Sequence, residues 1–317
     1  MVEIQGDDIT ESVRSALQYM SVYHTPDYLE HLTSAYDREA SPSAKAAIGQ
    51  IIESSRLAAF GKRPMCQDTG MVTVFATLGQ SVTINSDKSL EELINIGVRL
   101  AYLDEGNPLR ASMVNDPIFA RKNTKDNTPA VTHVVSAVGD SLELTIAAKG
   151  GGSENKARYT MLNPAASVAD WVVETVETLG AGWCPPGVIG VGVGGSAEKA
   201  MILAKRAVMG EIDMLELLER GPSSKLEELR IELYDRINNL GIGAQGLGGI
   251  TTVVDVKVST YATHAASKPV ALMPQCAANR HAKVVLRGDG PVNLDPPDMN
   301  AWPKIEPSGQ GTDFQRV

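Results

Sequence analysis

A chain of 317 residues, 43% apolar and 21% charged, has room for one large core or two ordinary ones, which excludes a wholly disordered or fibrous molecule. Asp and Glu outnumber Lys and Arg by 38 to 29, and the resulting charge of −9 argues against nucleic acid or an anionic membrane as partner. No apolar run approaches the roughly 18 residues of a membrane span and the amino terminus lacks a signal-peptide core, so the expected location is cytoplasmic.

Helical spacing of apolar residues predicts helices over 7–19, 26–36 and 43–60, with Asp8, Thr25 and Ser41 as candidate caps and Gly61 as a stop. This opening reads as a helical cap, 1–62, on a larger α+β body. The β-branched run 71–78 predicts a strand and 89–102 a helix. Strands over 130–138 and 142–148, separated by Gly139 and Asp140, suggest a hairpin. A helix over 168–179 leads to a short strand at 188–193 and a helix over 197–208 that Ser196 can cap. An exposed amphipathic helix over 225–239, a Gly-rich stretch at 241–249, and strands at 252–260 and 283–286 follow. Strands pair as often as they alternate with helices, so the expected class is α+β, with mixed sheets flanked by helices over 63–287. From 288 to 317 the composition turns to Pro, Gly, Asp and Asn, reading as a tail or linker.

Chemistry concentrates in a few loops. The three cysteines are an odd number at low density and form no disulfide framework. Cys66, Cys184 and Cys276 each read as lying in a non-helical turn rich in Pro or Gly, where a metal-binding thiolate can be held by backbone N–H groups. They are 118 and 92 positions apart, so only the fold could unite them. Their spacing leaves zinc, with His264 or His281 as a fourth ligand, and an iron–sulfur cluster equally open. The loop KGGGSENK at 149–156 offers successive backbone N–H groups to an anion, although it has neither Walker nor dinucleotide-loop spacing. Gly190, Gly192, Gly194 and Gly195 give a weaker hint of a phosphate loop. Asp68, two residues beyond Cys66, would sit beside whatever that thiolate binds.

Taken together, CQDTG, KGGGSENK, CPPG, IGAQGLGG and the run from His264 to Arg280 resemble the alpha part of class I, iron–sulfur-dependent fumarate hydratases over about 64–286. The resemblance implies a [4Fe–4S] cluster on Cys66, Cys184 and Cys276, with one iron free of protein thiolate to act as a Lewis acid. It also implies substrate contacts from Gln67, Asp68, Arg110 and the backbone of Gly151 or Gly152, with Asp68 and His264 as acid and base. The small dicarboxylate would be fumarate, hydrated reversibly to (S)-malate. L-tartrate or mesaconate are alternatives within the same chemistry, and a non-catalytic zinc-binding assembly subunit is the alternative outside it. Members of this family need a beta module. The chain is therefore expected to work with a beta subunit or a carboxy-terminal domain, and as an oligomer.

Overall fold

The computed structural model describes residues 1–303 and 305. Strand β1 (Val2–Gln5) leads into helices α1 (Gly6–Val22), α2 (Pro26–Arg38) and α3 (Pro42–Gly61). Strands β2 (Met71–Gly79) and β3 (Val82–Asn85) precede α4 (Leu90–Tyr102), and the two-residue strands β4 (Val114–Asn115) and β5 (Lys122–Asn123) pair in the loop beyond it. Next come β6 (Val131–Ala137), β7 (Leu142–Lys149), the single turn α5 (Gly151–Glu154) and β8 (Arg158–Leu162). The remainder runs α6 (Val168–Leu179), β9 (Gly187–Gly194), α7 (Ala197–Ala207), α8 (Met214–Arg220), α9 (Lys225–Asn238), β10 (Val253–Tyr261), β11 (Lys268–Gln275) and β12 (His281–Leu286). The class is α+β.

Two four-stranded mixed sheets carry the fold, one ordered β12-β7-β2-β6 and the other β10-β9-β11-β8. Strand alternation decides which residues face which layer. Val72, Val74 and Ala76 of β2 point into a core shared with α1 and α4, while Phe75 points to the opposite face. There it meets Val188 of β9, Ala271 and Met273 of β11, and residues of α2, α3 and α7. The outer face of the second sheet, with Ile189, Val191, Val270 and Leu272, is covered by α6, α8 and α9. At roughly 1.5 to 3 kcal/mol for each large apolar side chain removed from water, these three layers stabilise the sheets from both sides.

Several expectations change. β6 and β7 form no hairpin with each other: both pair with β2, β6 in parallel and β7 antiparallel, so Gly139 and Asp140 span the width of an intervening strand. Asp8 lies inside the first turn of α1, and Thr25, Ser41 and Ser196 hold N-cap positions without a side-chain hydrogen bond to the helix. The capping box belongs instead to Ser89 and Glu92 at the start of α4. β1, β3, β8 and β11 and helix α8 are elements that periodicity missed. Gly190 and Gly192 of β9 serve close packing. A Cβ at Gly192 would lie 2.0 Å from the Ala200 carbonyl oxygen, so the strand's bare face is what lets α7 pack down on it. The start of the expected tail is docked: the Val292 N–H donates to Ser12 Oγ at 2.8 Å, and Trp302, 4% exposed, packs beside Tyr23. The rest of that tail, 304 and 306–317, lies outside the described residues.

Candidate functional site

The ends of the two sheets meet along one edge, and the cysteine loops lie there. Cys66 and Asp68 precede β2, whose Met71 pairs with Lys149 at the end of β7, so the 66–70 turn and the 149–152 loop are side by side. Cys184 precedes β9 and Cys276 follows β11, at strand ends joined by the pairing of Val188 with Gln275. The segment from Cys276 to Arg280 then crosses from one sheet to the other, reaching β12, which pairs with β7. The N–H of Ala277 donates to the Cys184 carbonyl at 3.0 Å and ties two of the cysteine loops directly.

All three cysteines, separated so widely in sequence, line one cavity of about 480 Å³ together with His24, Gln245 and Leu247. None forms a disulfide; Cys184 is exposed and the other two are half-buried. Burial pushes the Cys184 thiol above its ordinary range, and the nearness of Cys276 and Cys66 pushes it further the same way. Cys184 (φ 58°), Gln245 (φ 53°) and Asn279 (φ 38°) all adopt left-handed backbone around this cavity. Such conformations are uncommon for residues with a Cβ and gather where a loop is held for a purpose. Gln245 is fixed twice to the Pro185 carbonyl, through its backbone N–H at 2.8 Å and its side-chain amide at 2.7 Å.

Asp68 lies beside the cysteines in a fixed orientation. One oxygen accepts from the Gly70 N–H at 3.0 Å and the other from the Gly151 N–H at 2.7 Å. Gly151 therefore orients Asp68 with its amide, while Gly152 is exposed at the same loop. Gln67 stands between, its side-chain oxygen 3.5 Å from Cys66 Sγ. Arg110 is held next to this turn through its backbone: the Thr69 hydroxyl donates to the Arg110 carbonyl. Fully buried Asn127 braces the same junction, donating to the Gly70 carbonyl at 3.0 Å and accepting from the Ser112 N–H at 2.8 Å. The exposed guanidinium of Arg110 is thus carried on a rigid base.

His264 is elsewhere. It occupies the exposed loop between β10 and β11, where its Nδ1 accepts from the Ala266 N–H at 3.1 Å. That loop is tied to Gly195 at the far end of β9. The eight residues of β11 stand between it and Cys276, a span of about 26 Å at roughly 3.3 Å per residue. Within one chain, His264 and Asp68 are not partners. His281, the other candidate fourth ligand, is the first residue of β12 and does not line the cysteine cavity. Among the described residues, no three His, Cys, Asp or Glu side chains converge closely enough to hold a single metal ion.

Three further residues near the site escaped the sequence reading. His24 lines the cavity, hydrogen-bonded to Ser55 Oγ at 2.7 Å and to the Ala277 carbonyl at 2.9 Å, and burial lowers its pKa to about 4. Lys149, the first residue of the glycine loop, has a fully buried side chain that donates to Ser153 Oγ at 2.8 Å and to the Pro274 carbonyl at 2.6 Å. Burial brings its pKa down to about 8 against the pull of Glu154 and Cys276. Arg280 is 2% exposed and lies behind Asp68 and Gly150. Arg280 lies in a polar run beside Asn279 and His281, and a single His lies between two helices at His24, so neither carried a distinctive signal.

Comparison with known proteins identifies the family. The model of the family described as fumarate hydratase (Fumerase) matches residues 10–285. A protein of Methanocaldococcus jannaschii, provisionally named L(+)-tartrate dehydratase subunit alpha, is 34% identical over 285 residues, covering 87% of this chain and 95% of its own length. The L(+)-tartrate dehydratase subunit alpha of Escherichia coli O157:H7 is 30% identical over 286 residues, covering 89% of this chain and 91% of its own length. The site and these matches, which run through nearly all of the folded body, place the chain in the fumarate hydratase (Fumerase) family of hydro-lyases.

Proposed function

We propose that this chain is the alpha subunit of a two-part hydro-lyase that reversibly hydrates fumarate to (S)-malate, working on a [4Fe–4S] cluster held by Cys66, Cys184 and Cys276. The observation that carries the reading is the meeting of three remote cysteines around one cavity. A tetrahedral zinc ion needs all its ligands about 2.0 to 2.3 Å from one point. The described side chains offer no such trio, whereas three thiols spaced around a larger void suit a larger inorganic group. The surroundings suit it too, because Asn279 Nδ2 and Arg280 Nε and Nη1 are buried donors with no acceptor among the described residues, and cluster sulfurs are acceptors.

When bound, the cluster supplies a Lewis-acidic iron that polarises the oxygen to be gained or lost. The chain's own residues do the rest. Arg110, on its braced loop, pairs with a substrate carboxylate through two parallel N–H bonds. Gln67 and the exposed backbone at Gly152 border the same space. Asp68, held by two backbone N–H groups, presents its carboxylate in one direction and carries a proton to or from the departing hydroxyl. His264 enters this reading as a residue of a second copy, since its own chain keeps it at the other end of the sheet. A beta partner supplies the remaining cations and the group that removes the C3 proton; the subunit names of the relatives support such a partner.

A second reading, L(+)-tartrate as substrate, is favoured by the names of those relatives. Turnover of fumarate, (S)-malate, mesaconate and L(+)-tartrate by the chain assembled with its beta partner separates the two. Anaerobic analysis of the chain alone tests the centre itself. About four iron and four sulfide per chain are expected, and about one zinc without sulfide would replace the hydro-lyase reading by a zinc-binding one.

A further inference from the structure

Two buried cations lie near the cysteine cavity, and they are treated very differently by the chain. Lys149 is neutralised and solvated internally: Glu154 stands 3.7 Å from its ammonium, and Ser153 and Pro274 accept its protons. Arg280, 2% exposed, has neither kind of partner. Among the described residues no carboxylate comes within 4.0 Å of it, and Nε and Nη1 have no acceptor. Asp68 approaches the same loop: its Oδ2 would be 3.3 Å from a Cβ at Gly150, with Arg280 Nη2 3.7 Å from the same point. Both Asp68 oxygens are already bonded to Gly70 and Gly151.

An uncompensated guanidinium in a protein interior is costly, several kcal/mol even after relaxation, and chains rarely keep one without an anion for it. Its position says which anion. Arg280 closes the turn that begins at Cys276, where the Asn279 N–H donates to the Cys276 carbonyl at 3.0 Å. Its charge acts on His24, a residue of the cavity wall, opposing protonation of that imidazole. At 2% exposure it is far less accessible to a diffusing dicarboxylate than the exposed Arg110. Beside it Asn279, 1% exposed, has both side-chain polar atoms unpartnered.

We propose that Arg280 is a positioning residue, the counter-charge that this chain holds ready for an anionic cluster on Cys66, Cys184 and Cys276. Three thiolates outweigh the charge of the iron–sulfur core, so the assembled centre is net negative and the guanidinium behind it becomes paired on loading. The inference rests on the cluster reading above. It also explains why the residue is tolerated: Arg280 destabilises the empty chain and stabilises the loaded one.

The test uses the full chain, purified anaerobically and compared with and without its iron and sulfide, as wild type, Arg280→Met and Arg280→Lys. The empty Arg280→Met chain is expected to melt at least a few degrees higher than empty wild type, because it no longer buries an unpaired charge. The loaded variant is expected to lose iron to a chelator about tenfold faster, the size typical of outer-shell changes at metal sites. Arg280→Lys, which keeps the charge, restores most of the retention. An empty Arg280→Met chain that melts lower or fails to fold, or a loaded one that keeps its iron as long as wild type, overturns the proposal. Wild type that binds no iron and sulfide at all removes the cluster reading instead, so the two failures are distinguishable.

Discussion

Cys184 presents its thiol from a left-handed backbone, φ 58°, in a turn closed by its own N–H bonding the Ala181 carbonyl at 3.0 Å. Glycine would take that conformation with less strain, so the side chain is kept for its sulfur. Cys184→Gly is therefore expected to leave the empty chain folded and no less stable while abolishing iron and sulfide binding, read by thermal melting alongside metal analysis. Asp68→Asn keeps one of the two backbone bonds, since an amide has a single acceptor oxygen, and removes the proton carrier; kcat should fall about 10² to 10⁴-fold with little change in metal content. Arg110→Gln should act mainly on KM, because the lost fork binds the carboxylate in ground and transition states alike. At this scale the sequence was informative where several loops supported one another. Cys66, Cys184, Cys276, Asp68 and Arg110 converge on one edge; His264 does not. Proximity in sequence to Cys276 could not reveal that a full strand lies between them.

Strand β9 shows what a pattern of small residues means once its neighbours are known. Its alternating glycines at 190 and 192 face α7, where a Cβ would lie 2.3 Å from the Ala204 carbonyl and 2.0 Å from that of Ala200. Gly192→Ala is expected to cost roughly 1 to 3 kcal/mol by overpacking, measured by denaturant unfolding of the full chain. Helix α9 corrects the sequence in the opposite direction. Its mixed charges predict a solvated face, yet Arg230, 8% exposed, points inward to Asp213 and to fully buried Asp255, which also meets Lys257 at 3.0 Å. Hydrogen bonds to Arg230 and Lys257 outweigh burial and hold the Asp213 carboxyl down at about 2, below its ordinary value of 3.8. A depressed carboxylate contributes stability above its unfolded pKa and loses it as pH falls through the folded one. Asp213→Asn should therefore flatten the loss of stability between about pH 4 and pH 2, seen in acid melting curves. The hairpin reading failed for a related reason. Local turn signals identify where a strand ends, whereas β2, some sixty residues earlier in the chain, takes the place between β6 and β7.

Across the whole molecule, the layers bring sheet ends together so that an acidic chain of net charge −9 holds Arg110, Lys149 and Arg280 near one cavity. The same layering keeps the exposed His264 and the half-buried Gly195 turn at the opposite end of the second sheet. If His264 serves the site of a neighbour, a symmetric pair would exchange loops, each chain giving its histidine to the other's Asp68. Variants Asp68→Asn and His264→Asn, each nearly inactive alone, then make a decisive mixture. In a mixed pair, one site inherits both defects and the other inherits neither. Random reassembly of equal amounts makes half the pairs mixed, so about a quarter of wild-type activity should return when the two are co-assembled with the beta partner. An arrangement in which each chain uses its own His264 would return none, because every site would carry one defect. The mixing experiment thus reads the 26 Å or so between His264 and Cys276 as a property of assembly, through a signal that neither single variant can produce.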